Sequence, residues 1–138
     1  MAVNIQIIKD STRETVVKLT NDGDAESSVL KVDASTLAGA DALASYHELM
    51  ITNVTWSILS TYSVIVEWDG DTPANALVLN GNGALRYTGG EYVLIKNTAA
   101  APSGDITVST AGAGAAPAYT VMLTLAKGVG FNRLEATA

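Results

Sequence analysis

Hydrophobic and polar positions alternate along this chain with a period of two. In "AYTVMLTLAK", residues 118–127, Tyr119, Val121, Leu123 and Leu125 fall on one side, and Thr120, Met122 and Thr124 on the other. Successive side chains of a strand point to opposite faces, so this segment predicts a half-buried β-strand. The same reading sets Ile106 and Val108 against Thr107 and Ser109, and Met50, Val54, Trp56 and Ile58 against Thr55 and Ser57. Further strands are predicted at 4–8, 14–20, 28–33, 62–68, 75–80, 84–88 and 91–96, each rich in Val, Ile, Leu, Tyr or Thr and bounded by Gly, Asn, Asp or Pro. In 64–66 and 93–95 both faces are apolar, the pattern of a central strand or of a protein contact.

One stretch breaks this pattern. "TLAGADALASYHEL", 36–49, has helix-like composition, but Leu37, Asp41 and Leu43 form no clean 3.6-residue stripe. It predicts a long connection containing one or two helical turns. About ten short strands with Gly- and Asn-rich turns then predict an all-β fold, an antiparallel, jelly-roll-like β-sandwich with that one partly helical connection. "TAGAGAAPAY", 110–119, lies between two alternating strands and is expected to be a hairpin connection. Residues 1–138 are read as a single domain, with 1–10 as a possible N-terminal arm and 129–138 as a possible flexible tail.

Composition narrows the function classes. Of the 138 residues 48% are hydrophobic and only 16% charged, against about 25% charged in an average soluble domain. The surface is therefore to be covered by Ser, Thr, Asn, Gly and Ala, or by another protein. Eight basic and 14 acidic side chains give a net charge of −6, and the basic ones are scattered singly. Such scattering offers no patch to neutralise a run of phosphates, so no nucleic-acid partner is expected. With no cysteine, disulfides and thiolate chemistry are excluded. No apolar run approaches the roughly 20 residues needed to span a bilayer, and "MAVNIQIIKDSTRET" lacks the layout of a secretory signal, so no membrane partner and a cytoplasmic product are expected.

Candidate chemistry is sparse. Asp22-Gly23-Asp24 and Asp69-Gly70-Asp71 invite a calcium reading, but neither has the spacing D-x-[DN]-x-[DN]-G-x5-E. Asp69, Asp71 and Asn75 have the right ligand chemistry for part of a hard-ion site; Asp-Gly is also what a tight reversal requires, and the turn is the preferred reading. Neither a metal nor a cofactor is expected. Trp56, Trp68, Tyr62, Tyr87 and Tyr92 raise a sugar platform, yet aromatics in register with aliphatic neighbours are expected in the core. His47, the single histidine, is expected at a surface or interface, and neither Ser45 nor Ser60 sits in a G-x-S-x-G elbow. Neither the phosphate-loop nor the H-E-x-x-H pattern occurs, and the carboxylate pairs Asp69 with Asp71 and Glu14 with Glu26 carry no glycosidase signal by themselves. No catalytic residue is assigned, and no enzyme is expected.

The order "VEWDGDTPANALVLNGNGALRYTGG" followed by "GDITVSTAGAGAAPAYTVMLTLAKG" resembles small β-rich virion structural proteins of tailed bacteriophages of the marine and cyanophage type. The matching positions are Trp68 and Asp69, Gly81 to Gly83, Gly104 to Ile106, and Tyr119 with Thr120, within about residues 50–127. The resemblance implies a head-decoration or cement protein of the virion, assembled in the host cytoplasm. Its implied partner is the major capsid protein, with self-association as a dimer or trimer. It brings no catalytic residues. The candidate contact residues are Val3, Ile5 and Ile7, which alternate with Asn4 and Gln6 and suit strand addition to a sheet edge, together with Phe131 and Leu134 near the C-terminal end. An internal first strand is the equal alternative for residues 2–8. Another virion component (tail, knob or head-fibre base) and a carbohydrate-binding module are the competing functions; the latter requires Trp56, Trp68 or Tyr87 to lie exposed.

Overall fold

A computed structural model of the chain describes residues 3–22, 25–58, 61–86, 95–112 and 118–131. Within them the alternating segments form nine strands: β1 (Val3–Asp10), β2 (Glu14–Asp22), β3 (Val29–Val32), β4 (Leu49–Ile58), β5 (Tyr62–Trp68), β6 (Ala74–Leu79), β7 (Asn82–Leu85), β8 (Ile106–Gly112) and β9 (Ala118–Lys127). They make two antiparallel sheets, of order β1-β2-β9-β4-β7 and β3-β8-β5-β6. The pairings nest: β2 with β9, β3 with β8, β4 with β7 and β5 with β6. This is the order of one long hairpin rolled over on itself, with β1 added beside β2. The inner faces of both sheets meet in one apolar cluster that includes Leu19, Ile51, Val66, Trp68, Ile106 and Leu123.

Alternation locates most strands because a two-sheet sandwich buries every second side chain. β5 is central in its sheet, as its two apolar faces predicted. The 110–119 connection is not a hairpin, since the strands it joins, β8 and β9, lie in different sheets, and three further details differ from the sequence reading. The first is in β4, where a register shift between Ile51 and Asn53 flips the inward face, so Leu49 and Ile51 enter the core in place of Met50. One extra residue in a strand exchanges the two faces beyond it, and alternation alone cannot register that.

The second is the connection at 36–49. The helical turn among the described residues is a 3-10 turn at Ala34–Thr36, whose cap Asp33 accepts from the Ser35 backbone N–H. Beyond it the backbone makes only separate i to i−3 turns, Ala40 N–H to Leu37 O and Ala44 N–H to Asp41 O, and otherwise bonds outward: Asp41 N–H donates to Gly130 O, Glu48 N–H to Val129 O, and Ala40 bridges Phe131. Donors used by a neighbouring segment cannot build an i to i−4 ladder. The third concerns the strands predicted at 84–88 and 91–96. β7 ends at Leu85, Ile95 bridges Ile51, and Tyr87 to Leu94 lie outside the described residues.

Gly104 ties the 36–49 connection to β8. Its φ is +97°, and an added Cβ would fall 2.1 Å from the His47 carbonyl oxygen. Gly81, at φ +66°, has nothing within 4 Å of that position. Gly104→Ala is expected to cost at least about 3 kcal/mol, from the left-handed backbone and the clash together. Gly81→Ala should cost only about 1 kcal/mol, from the backbone alone. Urea denaturation of the two variants checks the ordering.

Candidate functional site

Five strands facing four leave one strand without an opposite number. β1 is that strand. Ile5 and Ile7 stand beside Leu19 and Val17, which are fully buried. They therefore share the core-facing side of the sheet, yet they are 47% and 51% exposed because nothing covers them. With Leu30 and Val32 of β3 and Leu37 they line a groove of about 230 Å³ between the two sheet edges. That is below the 300–1,000 Å³ of typical small-molecule pockets and suits aliphatic side chains of a partner. Covering Ile5, Ile7 and the half-exposed Leu30 would contribute roughly 2–4 kcal/mol.

The groove joins two of the residues singled out from the sequence and adds Leu30, which alternation did not mark. Val3 opens β1, but its side chain lies outside the described residues, as does Leu134. Phe131 is half-buried and turned to the chain itself: its ring meets His47 edge-on at 5.6 Å and lies 5.2 Å from Lys127 Nζ. His47 is buried, not at the surface as expected, with Nε2 at 2.8 Å from the Asp41 carbonyl oxygen. Apolar packing by Phe131 and closure of the 36–49 connection over it account for that burial. β1 carries a register shift between Ile7 and Lys9, and Lys9 is exposed with Glu14 3.4 Å away. A bulge and a lysine are ordinary ways of blunting an open edge, so the apolar character of Ile5 and Ile7 stands out against them.

Two buried polar clusters close the ends of the core. Across β2 and β9 the inward pairs run Thr15–Leu125, Val17–Leu123, Leu19–Val121 and Asn21–Tyr119. At one end Lys127, in phase with Leu125 and Leu123, is 1% exposed. Its Nζ donates to Asp10 Oδ1 at 2.6 Å, Ser11 O at 2.6 Å and Ala38 O at 2.8 Å. Asp10 also accepts from Thr15 Oγ1 and from the Ala38 backbone N–H. At the other end Glu26 receives Lys31 Nζ on Oε2, and Tyr119 O–H and Asn21 Nδ2 on Oε1. All four of these side chains are buried. Burial, then the bond to Glu26 and its charge, push the Tyr119 phenol far above its ordinary value.

On the outer face of the four-stranded sheet, Glu67 Oε1 accepts from Ser28, Thr107 and Ser109 hydroxyls at 3.0–3.1 Å. The Asp69-Gly70-Asp71 loop is tied to the neighbouring segment: Ser103 Oγ donates to Asp69 Oδ2 at 2.8 Å, and Asp71 N–H to Ala100 O. The second Asp-Gly-Asp lies partly outside the described residues. Trp68 is 1% exposed, and Tyr62 is buried. Trp56 is partly buried against the core, its indole lies over Gly83, and its Nε1–H donates to Asn80 O at 3.0 Å. Tyr87 and Tyr92 lie outside the described residues. Comparison with protein-family models, curated proteins and solved structures returned no match for the chain.

Burial pushes the Asp10 carboxyl up, but the bonds from Lys127, Ala38 and Thr15 and the Lys127 charge outweigh it and hold the group below its ordinary value of 3.8. A carboxyl lowered on folding adds stability above its unfolded value, and that contribution is lost as pH falls through the folded value. Wild-type protein should lose stability progressively between about pH 5 and pH 2, and Asp10→Asn should flatten this limb. Lys127→Met should cost about 3 kcal/mol at neutral pH, since it strands Asp10 and two carbonyls. Thermal melts across that pH range test both.

Proposed function

We propose that the chain is a non-enzymatic structural protein of a tailed-bacteriophage particle, a decoration or cement protein that binds the outer surface of the head and stabilises it. The observation that carries this reading is the uncovered apolar edge formed by Ile5, Ile7 and Leu30 beside the groove. Apolar side chains at a sheet edge, within a surface poor in charge, suit a module whose task is to bury area against a neighbour. The nested pairing supports a jelly-roll assignment, an arrangement that serves viral capsid and lectin domains among others. The likeness of residues 50–127 to small virion proteins points the same way.

The mechanism is mass action. A protein that binds the assembled shell and not its free subunits adds its binding free energy to the barrier against disassembly. Repetition over the lattice multiplies modest contacts, and the partner is the major capsid protein. Dimers or trimers of the chain would match the symmetry axes of a shell.

Ile5 and Ile7 are about half exposed, so Ile5→Lys with Ile7→Lys should leave the melting temperature nearly unchanged while weakening attachment to undecorated heads at least tenfold. Co-sedimentation with purified heads of the encoding phage measures this. Quantitative mass spectrometry of whole particles gives the copy number. Hundreds of copies in proportion to the shell protein are expected; a few or tens would assign the chain to the tail, knob or fibre apparatus, and absence would return it to a carbohydrate-binding module.

A further inference from the structure

The Glu26 cluster contains the parts of a covalent cross-link. Lys31 lies on β3 in the four-stranded sheet and Asn21 on β2 in the five-stranded sheet. Both reach one carboxylate: Lys31 Nζ is on Glu26 Oε2, and Asn21 Nδ2 is 3.1 Å from Oε1. The three residues are 4%, 3% and 6% exposed, and Tyr119, at 4%, closes the site with its hydroxyl on the same carboxylate. An amine, a carboxamide and a carboxyl group held together away from water are the reactants and the proton carrier of an amide exchange. Fixed orientation raises the effective concentration of such partners by several orders of magnitude. Exclusion of water removes competing hydrolysis.

We propose that Lys31 and Asn21 form an isopeptide bond, with Glu26 as the catalytic residue, and that this bond ties the two sheets together. Lys31 transfers one proton to Glu26 and becomes a neutral amine. A half-turn of the Asn21 amide presents its oxygen to the protonated Glu26, whose hydrogen bond makes Cγ more electrophilic. Nζ attacks Cγ, forming a new C–N bond and a tetrahedral centre. Glu26 then moves a proton from Nζ to Nδ2, the Cγ–Nδ2 bond breaks, and the nitrogen leaves as ammonia. The sum is amine plus carboxamide giving secondary amide plus ammonia, with no oxidant, reductant or water consumed.

Lys31 and Asn21 are ten positions apart, so the bond would close a short loop and pin one end of the sandwich in place. It is independent of the particle role, although a shell module under internal pressure would gain from a tie that cannot be pulled open.

Intact-mass measurement of the full, denatured chain tests the proposal. The expected mass is that of the sequence less one ammonia, and a digest cutting after Glu26 should leave the Asn21 and Lys31 peptides joined. Glu26→Gln, Lys31→Met and Asn21→Ala should each restore the unmodified mass. Full sequence mass after prolonged incubation of the folded wild-type protein would overturn the proposal, as would an ammonia loss that maps to another asparagine, such as Asn82 before Gly83. Because the wild-type measurement decides, a variant that fails to fold does not leave the question open.

Discussion

The inward ladder between β2 and β9 is the constraint on which the rest of the fold depends. Its middle, Val17, Leu19, Val121 and Leu123, is almost fully buried, and each such side chain contributes about 1.5–3 kcal/mol on leaving water. Its ends are polar in the same phase, with Thr15 and Lys127 at one and Asn21 with Tyr119 at the other. A charge carried inward on a strand must find partners or cost several kcal/mol. Here it finds them outside β2 and β9: Asp10 at the end of β1, Ser11 and Ala38 for Lys127, and Glu26 with Lys31 of β3 for Tyr119 and Asn21. The connections after β1, β2 and β3 are thereby placed by the ends of the ladder.

That arrangement explains how a sandwich with so little regular structure in its connections holds them. The segment 36–49 has no hydrogen-bond ladder of its own. It is fixed by Lys127 at Ala38, by Gly130 and Phe131 at Asp41 and Ala40, and by the tight approach of Gly104 to His47. Removing a buried partner from such a network costs more than removing an exposed one, because the groups left behind are desolvated and unpaired.

The two faces of the edge region divide the labour. β1 completes the five-stranded sheet through β2, so its backbone belongs to the fold, while Ile5 and Ile7 remain available because the opposite sheet ends one strand earlier. Of the two alternatives posed for the N-terminal segment, the structure shows an integral strand of the five-stranded sheet, with Ile5 and Ile7 half exposed. Two charged residues, Lys31 and Asp33, also line the groove beside them, and Lys31 turns its ammonium to Glu26. The ionic clusters are buried at the ends of the sandwich, and the groove is lined mainly by aliphatic groups.

Strand positions, the all-β class and the central place of β5 were legible in the sequence, since alternation follows directly from the geometry of a pleated sheet with one buried face. Lys127 and Asn21 are in phase with Leu125 and Leu19, a signal of burial that their charge and amide, ordinarily surface chemistry, oppose. The β4 bulge, the burial of His47 and the meeting of Lys31 with Asn21 across Glu26 could be decided only by tertiary structure. Each depends on residues distant in the chain or on one extra residue in a strand, and a local pattern holds no information about which segment will arrive opposite.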